Sequence, residues 1–391
     1  MGKKTGIEWT DSSWNPLRGC LTVSEGCRNC YAEKLAGRFS GSGYAYEGLA
    51  TMIGGRARWT GKVELVEKHL LDPLRWGPVK GGCDCDEVTG RVRMWTNRPR
   101  RIFVNSMSDL FHENVPDEWI DRIFAVMALC PQHIFQVLTK RPERMMKYCS
   151  DNLPARLIKP MTDAVILRSN RFPKDWGIPP KMPLPNVWLG VSVENQAAAD
   201  NRIEWLLRTP AALRFISAEP LLGPINLGWV GCECDNPDSW DGVIDALGGF
   251  TWTEEWDNAD GSERHTRHRQ TIPKLDWVIA GGESGPGARP MHPDWLRSLM
   301  QQCKAAEVPF FFKQWGEYVP FGHESGGPVA VHHDGKGHYS AAWEGDFDSR
   351  PVKVVRVGHT DNANAGIGVR VGKKAAGSLL DGVQWKQFPE V

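Results

Sequence analysis

The sequence predicts an α/β fold made of repeated βα units, either a barrel or a doubly wound sheet. Short, continuously apolar runs recur along the chain, as in parallel strands that are buried on both faces. Helical patterns separate several of these runs, so strands and helices alternate. Polar or ionisable residues follow each run directly. In both fold types the site lies at the C-terminal ends of the strands, so these polar residues are the first candidates for function.

Seven runs are predicted to be strands. They are Ile7–Thr10, Arg101–Asn105, His133–Thr139, Val187–Val193, Leu213–Ala218, Leu275–Ala280 and Pro309–Phe312. Four segments are predicted to be helices, namely Tyr31–Phe39, Asp117–Leu129, Ala197–Leu207 and Pro293–Cys303. In the second helix, apolar residues recur at helical spacing after a Pro-Asp start, which is typical of a helix with one buried face.

Two stretches interrupt the βα repeat and are predicted to be insertions. They cover residues 40–100, after the first helix, and residues 223–274, before the sixth strand. We therefore expect residues 1–320 to form the barrel-like domain with these two insertions. Residues 321–391 are expected to form a C-terminal extension packed on it.

Composition sets limits on the partners of the chain. The 391 residues include 47 Lys plus Arg and 47 Asp plus Glu, so no overall charge indicates a nucleic-acid or membrane partner. No apolar run approaches the roughly 20 residues of a membrane span. The first residues, MGKKTGIEWT, lack the apolar region of a secretion signal. The sequence therefore predicts a cytoplasmic protein.

Three cysteines, Cys20, Cys27 and Cys30, lie on one short segment with the spacing C-x6-C-x2-C. Three close thiolates are typical of an iron–sulfur cluster, and three ligands rather than four leave one iron open to a substrate or cofactor. The alternative is a structural zinc site with a distant fourth ligand. A disulfide is the weakest interpretation in a cytosolic protein.

Each predicted insertion also carries a C-x-C pair. Cys83 and Cys85 lie in the first insertion, and Cys232 and Cys234 lie in the second. Together they could form one four-thiolate zinc site, and free thiols are the alternative.

Polar groups at seven strand ends, beside a three-cysteine loop, predict one composite site. Basic residues also cluster around Trp95 and in the run ERHTRHRQ. Basic residues interleaved with aromatic ones can hold a nucleic-acid backbone, although solvated loops often have the same composition.

The cysteine segment GCLTVSEGCRNCYAEKLAGRF resembles the cluster loop of radical S-adenosylmethionine enzymes. The similarity is greater still to a phage and prophage family of three-Cys-motif proteins of unknown function. It extends over most of the chain, including TGIEWTDSSWNP, IFVNSMSDLFH, VWLGVSVENQ, ISAEPLLGPI and WVIAGGESGPGARPMHPDW.

The wider superfamily implies a partial (β/α)6 barrel with the cluster loop after the first strand. It also implies a [4Fe-4S] cluster on Cys20, Cys27 and Cys30 whose open iron binds S-adenosylmethionine. Cleavage of that cofactor, with an electron from a donor, gives a 5′-deoxyadenosyl radical. Two features differ from the usual superfamily pattern: the first cysteine gap is six residues instead of three, and Asn29 replaces the usual aromatic residue.

The resemblance suggests roles for the polar strand ends. Residues expected to line the cofactor site are Ser106, Ser108, Asp109, Ser192, Glu194 and Glu219. Residues expected to contact substrate or handle protons are Lys140, Arg141, Glu283 and Lys313. The expected substrate is a nucleotide or nucleic acid, with base modification or repair as the reaction; a peptide or a small metabolite is the alternative. The rival function is a zinc-stabilised, non-catalytic binding protein.

Overall fold

The fold is described by a computed structural model. It describes residues 5–85, 88, 90, 92–168, 179–231, 243–257, 264–320, 329–333, 339–343, 350–351, 353–357 and 366–390.

Seven short strands form one sheet. They are Ser12–Trp14 (β1), Arg100–Val104 (β2), His133–Thr139 (β3), Val187–Ser192 (β4), Leu213–Ala218 (β5), Trp277–Ala280 (β6) and Phe310–Phe312 (β7). They lie in the sheet in the same order as in the chain. The pairs β1–β2, β2–β3, β3–β4 and β6–β7 are parallel. A doubly wound sheet reverses its strand order part-way, so the observed order favours barrel-type winding. The predicted α/β class is confirmed.

Six of the seven predicted strands are present, but the prediction for the first was wrong. Residues 7–10 form a turn, in which the Thr10 amide donates to the Ile7 carbonyl at 3.3 Å. The first strand is Ser12–Trp14, which is only three residues long. One of its buried residues, Ser12, is polar, so the strand does not appear in the sequence as an apolar run.

Eight α-helices accompany the strands in the described parts of the chain. They are Tyr31–Arg38 (α1), Glu67–Leu70 (α2), Asp117–Ala128 (α3), Pro142–Ser150 (α4), Leu153–Arg168 (α5), Gln196–Arg208 (α6), Pro293–Ala305 (α7) and Lys373–Ala376 (α8). The four predicted helices correspond to α1, α3, α6 and α7. In α3, Asp117 and Glu118 occupy the first turn, where acidic residues are favoured by the helix dipole. Two short 3₁₀ helices, Glu25–Cys27 and Asp72–Arg75, complete the helical elements of the described residues.

Smaller β-structures occupy the predicted insertions and the C-terminal region. The first insertion contains the hairpins Ala50–Ile53/Arg56–Trp59 and Val79–Cys85/Val92–Arg98, and its strand Glu64–Leu65 pairs with Leu17–Arg18. The second contains Val243–Asp245, Phe250–Asp257 and Arg264–Thr271 in one sheet. Beyond β7, two three-stranded sheets are Tyr318–Pro320/Gly366–Arg370/Lys353–Val357 and Val329–His333/Tyr339–Trp343/Arg350–Pro351, and a final hairpin is Leu379–Leu380/Val383–Gln384.

The chain divides into two compact units. Unit 1 is Met1–Asp84, Val92–Ser192 and Arg208–Phe215; unit 2 is Cys85–Arg91, Val193–Leu207 and Ile216–Val391. In unit 1 the buried Trp9 packs against Phe103 and Phe215, with ring centroids 4.8 and 6.4 Å away. A Cβ on Gly190 would lie 2.6 Å from the Phe215 ring, so glycine makes room for this aromatic core.

In unit 2 the last residues of the chain pack along β7. The Phe312 amide donates to the Trp385 carbonyl at 2.8 Å, and the indole N–H of Trp277 donates to the Gln387 carbonyl at 3.0 Å. Lys386 pairs with Phe311 in an antiparallel bridge. The C-terminal segment thus covers the edge of the sheet, which would otherwise expose unpaired backbone groups.

None of the helices in the described parts of the chain has the length and apolar character that crossing a bilayer requires.

Candidate functional site

The cysteine loop begins at Gly19, whose backbone is closely packed against neighbouring segments. Gly19, directly before Cys20, has φ +91°, and a Cβ at this position would lie 2.0 Å from the Lys62 carbonyl oxygen. Gly19 also forms a parallel bridge with Ser108, beyond the end of β2. Only glycine fits this conformation and this close approach. The start of the loop is therefore fixed beside the C-terminal end of β2.

The other two cysteines lie on successive helical turns. Cys27 ends the 3₁₀ helix, and the Cys30 amide donates to the Cys27 carbonyl at 3.1 Å. Cys30 is the N-cap residue of α1. The backbone N–H groups of Ala32 and Glu33 favour the Cys30 thiolate, as expected at a helix N-terminus.

Helix α1 is held in place by a buried carboxylate. Glu33 accepts a hydrogen bond from the Trp59 amide at 2.9 Å and one from the Arg58 guanidinium at 3.2 Å. These bonds tie α1 to the hairpin of the first insertion. The first insertion therefore supports the helix that begins at Cys30.

Two of the three thiols lie against apolar side chains. Cys20 and Cys30 pack on a buried cluster formed by Ala32, Ala36, Leu49, Ala50, Trp59 and Met107. Burial raises the pKa of Cys20 to about 12, with a further rise from Asp109 and an opposing effect of Arg141. Burial also raises the pKa of Cys30, while Lys140 lowers it slightly. Cys30 interacts electrostatically with both Cys20 and Cys27, so the three sulfurs share one neighbourhood.

In the metal-free protein we expect the Cys20 thiol to react slowly with iodoacetamide. Because its pKa is raised to about 12, the thiolate fraction at pH 8 is at least about tenfold below that of an ordinary thiol. The reaction rate is expected to keep rising above pH 9, where an unperturbed thiol levels off. Peptide mapping by mass spectrometry over a pH series measures this. A rate at Cys20 that levels off near pH 9 would contradict the burial of its sulfur.

Asp109 organises the end of β2. This buried carboxylate accepts a hydrogen bond from the Thr139 hydroxyl at 2.7 Å, from the Lys140 amide at 3.1 Å and from the Arg141 guanidinium at 3.1 Å. The Phe111 amide donates to the same carboxylate at 3.0 Å. Asp109 therefore joins the C-terminal ends of β2 and β3.

Arg141 connects that network to the cysteine loop. Its side chain, 9% exposed, pairs with Asp109 and with Glu113, whose carboxylate lies 2.8 Å from Nε. Its Nη2 donates to the carbonyl of Leu21, the residue after Cys20, at 3.4 Å. Two carboxylates raise the pKa of Arg141 against the effect of burial. The guanidinium is thus a fixed positive charge beside Cys20.

Two serines that were predicted to bind a cofactor, Ser106 and Ser108, form hydrogen bonds with residues 15 and 17, just before the cysteine loop. The Ser108 hydroxyl donates to the Leu17 carbonyl at 3.2 Å, and the Ser106 hydroxyl donates to the Asn15 side chain at 3.1 Å. The Tyr31 hydroxyl donates to the Ser106 carbonyl at 2.7 Å. Asn105, which directly precedes Ser106, was not among the predicted site residues; it has φ 61° and a buried Nδ2 that has no hydrogen-bond partner among the described residues. Ser192, the last residue of β4, is buried.

The remaining predicted site residues belong to unit 2, where each carboxylate has a cationic partner. Glu194 pairs with Arg202 of α6 at 2.8 Å. Glu219 pairs with Lys313 at 2.8 Å, so these two predicted residues come together. Glu283 accepts a hydrogen bond from the Arg289 amide and pairs with its guanidinium at 2.8 Å.

Two of these cations, Arg202 and Arg289, were missed in the sequence. Arg202 lies in α6, eight residues after Glu194, which precedes that helix, and Arg289 lies six residues after Glu283. The first pair therefore joins a residue before α6 to a residue within it, and helical spacing does not predict it. The second depends on a loop conformation for which the sequence carries no periodic signal.

The proposed zinc cysteines lie outside what the structure describes. Cys232 and Cys234 fall in residues 232–242, and Cys83 and Cys85 are described only as backbone of the strand Val79–Cys85. Within the described residues, no three His, Cys, Asp or Glu side chains converge closely enough to hold a single metal ion.

Three of the arginines that cluster around Trp95 in the sequence, Arg98, Arg100 and Arg101, form hydrogen bonds or ion pairs among the described residues. The side chains of Arg91 and Arg93 lie outside the description. Arg98 forms two hydrogen bonds of 2.7 Å with Asp11, and Arg101 lies 3.7 Å from the same carboxylate. Arg100 donates to Gly77 and Ser12. These residues stabilise the N-terminal ends of β1 and β2, whereas the cysteine loop lies at the C-terminal ends of these strands. The ERHTRHRQ run lies in the strand Arg264–Thr271 and residues before it, and its side chains up to 268 are outside the description.

Comparison with known families gives one match, and it spans nearly the whole chain. Residues 4–389 match a family described as "Protein of unknown function (DUF5131)". The chain belongs to the DUF5131 family. No curated protein matches this DUF5131 chain, and no solved structure matches it. The family assignment carries no reaction, so the chemistry of this DUF5131 protein has to be argued from its residues.

Proposed function

We propose that this protein is a radical S-adenosylmethionine enzyme, in which Cys20, Cys27 and Cys30 hold a [4Fe-4S] cluster. One observation supports this most strongly: three electrostatically coupled cysteines lie on a loop fixed to the C-terminal ends of β1 and β2. In parallel sheets with sequential strand order, this edge is where catalytic sites are built.

The three thiols suit a cluster, in which each thiolate binds a different iron. Arg141 and Lys140 also supply positive charge beside the thiolates that a cluster would require.

The protein's own residues would bind and orient the reactants. When bound, the cluster supplies the electron that cleaves S-adenosylmethionine to a 5′-deoxyadenosyl radical. Asp109 and Arg141 hold the loop in position. The Lys140 ammonium has no ion-pair partner among the described residues and is suited to a carboxylate or phosphate group. Glu194, Glu219 and Glu283 are already paired with cations, so we assign them no step.

Anaerobic reconstitution tests this function. We expect a brown protein with about four irons and four sulfides per chain, which binds S-adenosylmethionine and, when reduced with dithionite, releases 5′-deoxyadenosine. Changing Cys20, Cys27 or Cys30 to Ala is expected to abolish the cluster's absorption. Cys149→Ala is the matched control, because Cys149 is buried in α4 outside the loop.

Two results would overturn the proposal. A colourless protein that binds zinc tightly and no iron would support the non-catalytic alternative. A fully loaded, reduced protein that neither binds nor cleaves S-adenosylmethionine would contradict the assigned reaction. The substrate class, a nucleotide or nucleic acid, stays a prediction.

A further inference from the structure

An exposed apolar surface lies on α1 and the neighbouring hairpin. We name it the α1–hairpin patch; its side chains are Leu35, Phe39, Tyr44, Met52 and Ile53. Met52 is 55% exposed and Ile53 is 62% exposed. Contiguous exposed apolar surface on a folded protein marks an interaction site more often than a chance arrangement.

These side chains form one surface. Leu35 and Phe39 are four residues apart on α1 and therefore lie on the same face. The rings of Phe39 and Tyr44 are 6.2 Å apart. Gly37 allows α1 to approach the hairpin closely, since a Cβ there would lie 2.4 Å from the Ala57 Cβ and 3.3 Å from the Met52 sulfur.

Positive charge predominates in the sequence segment that carries the patch. Residues 18–62 contain seven Lys or Arg and three Glu, although the whole chain is neutral. One of the three acids, Glu33, is buried and paired with Arg58. Within the described residues, Arg38 and Arg56, which adjoin the patch, have no ion-pair partner, and the same is true of Arg28 and Lys62. A second copy of the chain would bring like charges together, so the charge favours an acidic partner.

The patch shares its helix with the proposed cluster loop. The buried face of α1 carries Ala32 and Ala36, which pack with Cys20 and Cys30, while Leu35 and Phe39 face outwards. At 1.5 Å per residue, Leu35 lies about 8 Å along the helix from Cys30. A protein bound to the patch would thus be close to the cysteine sulfurs.

We propose that the α1–hairpin patch is the docking surface for an acidic, one-electron donor protein, an inference that rests on the proposed function. The donor's reduced flavin or iron–sulfur group loses one electron and the cluster gains it, and no bond or proton transfer is needed. The apolar side chains supply the contact area, and Arg38 and Arg56 steer the acidic partner into place.

The test uses the reconstituted protein and a purified acidic flavodoxin as probe. We compare wild type with Met52→Glu/Ile53→Glu and with Arg38→Glu/Arg56→Glu. Ile166→Glu is the control, because Ile166 is also exposed but lies on α5. Binding of the oxidised flavodoxin is measured by calorimetry across a salt series. The rate of cluster reduction is measured with flavodoxin hydroquinone and, separately, with dithionite.

We expect both double variants to weaken flavodoxin binding and slow reduction by flavodoxin at least tenfold. Reduction by dithionite is expected to stay unchanged, and the control is expected to behave as wild type. Equal rates with flavodoxin in all proteins would overturn the docking assignment while leaving the proposed function intact. Failure of dithionite to reduce any cluster would instead count against the proposed function. Binding to single-stranded DNA is measured for the same proteins. If Arg38→Glu/Arg56→Glu loses binding to DNA but its cluster is reduced by flavodoxin at the wild-type rate, the surface binds nucleic acid and the docking proposal is wrong.

Discussion

Replacing Asp109 with Ala is expected to destabilise the protein by about 3–5 kcal/mol, the cost of removing one member of a buried ion pair. The variant keeps the buried Arg141 guanidinium but removes the buried carboxylate beside it. It also leaves the Thr139 hydroxyl and the Lys140 amide without their acceptor. Urea unfolding of the metal-free protein measures the change in the free energy of unfolding.

The matched control is Glu113→Ala. Glu113 also pairs with Arg141, but its side chain is 56% exposed, so its loss is expected to cost no more than about 1 kcal/mol. Asp109→Asn is expected to fall between the two, because its amide oxygen still accepts hydrogen bonds while the charge is lost. Equal effects of Asp109→Ala and Glu113→Ala would show that the Asp109 network does not hold the strand ends together.

Gly19→Ala is expected to disrupt the cysteine loop. The substitution adds a methyl group 2.0 Å from the Lys62 carbonyl oxygen, at a residue whose φ is +91°. Either the loop or the Lys62 segment must move, which shifts Cys20 relative to the other two cysteines. We expect a loss of stability of about 3 kcal/mol, from left-handed strain and overpacking together, and at least a fivefold fall in iron bound after reconstitution.

Gly48→Ala separates the effect of backbone strain from the effect of the steric clash. Gly48 also has a positive φ, +71°, but nothing lies within 4 Å of a Cβ there. This variant therefore carries the backbone strain without the clash, and we expect about 1–2 kcal/mol of destabilisation with normal iron content. If Gly19→Ala also retains full iron, the close approach to Lys62 does not position the loop.

The strand runs could be predicted because buried parallel strands are apolar throughout, as in β3 and β4. The first strand could not, since β1 contains two serines and is three residues long. The cysteine loop could be located because three cysteines lie within eleven residues of one another. The Asp109–Arg141 pair could not, because the two residues are 32 positions apart and meet only when β2 and β3 align. Nothing in the sequence distinguished phosphate-binding arginines from Arg98, which pairs with Asp11.

The cysteine loop is tied to the end of β2 on both sides. Gly19 bridges to Ser108 before the first cysteine, and Tyr31 bonds to Ser106 after the last. The two ends of the segment between these ties are therefore held together by the fold itself, and the entropy cost of closing the loop is part of folding. Under the proposed function, the loss and return of iron would not require this loop to close again.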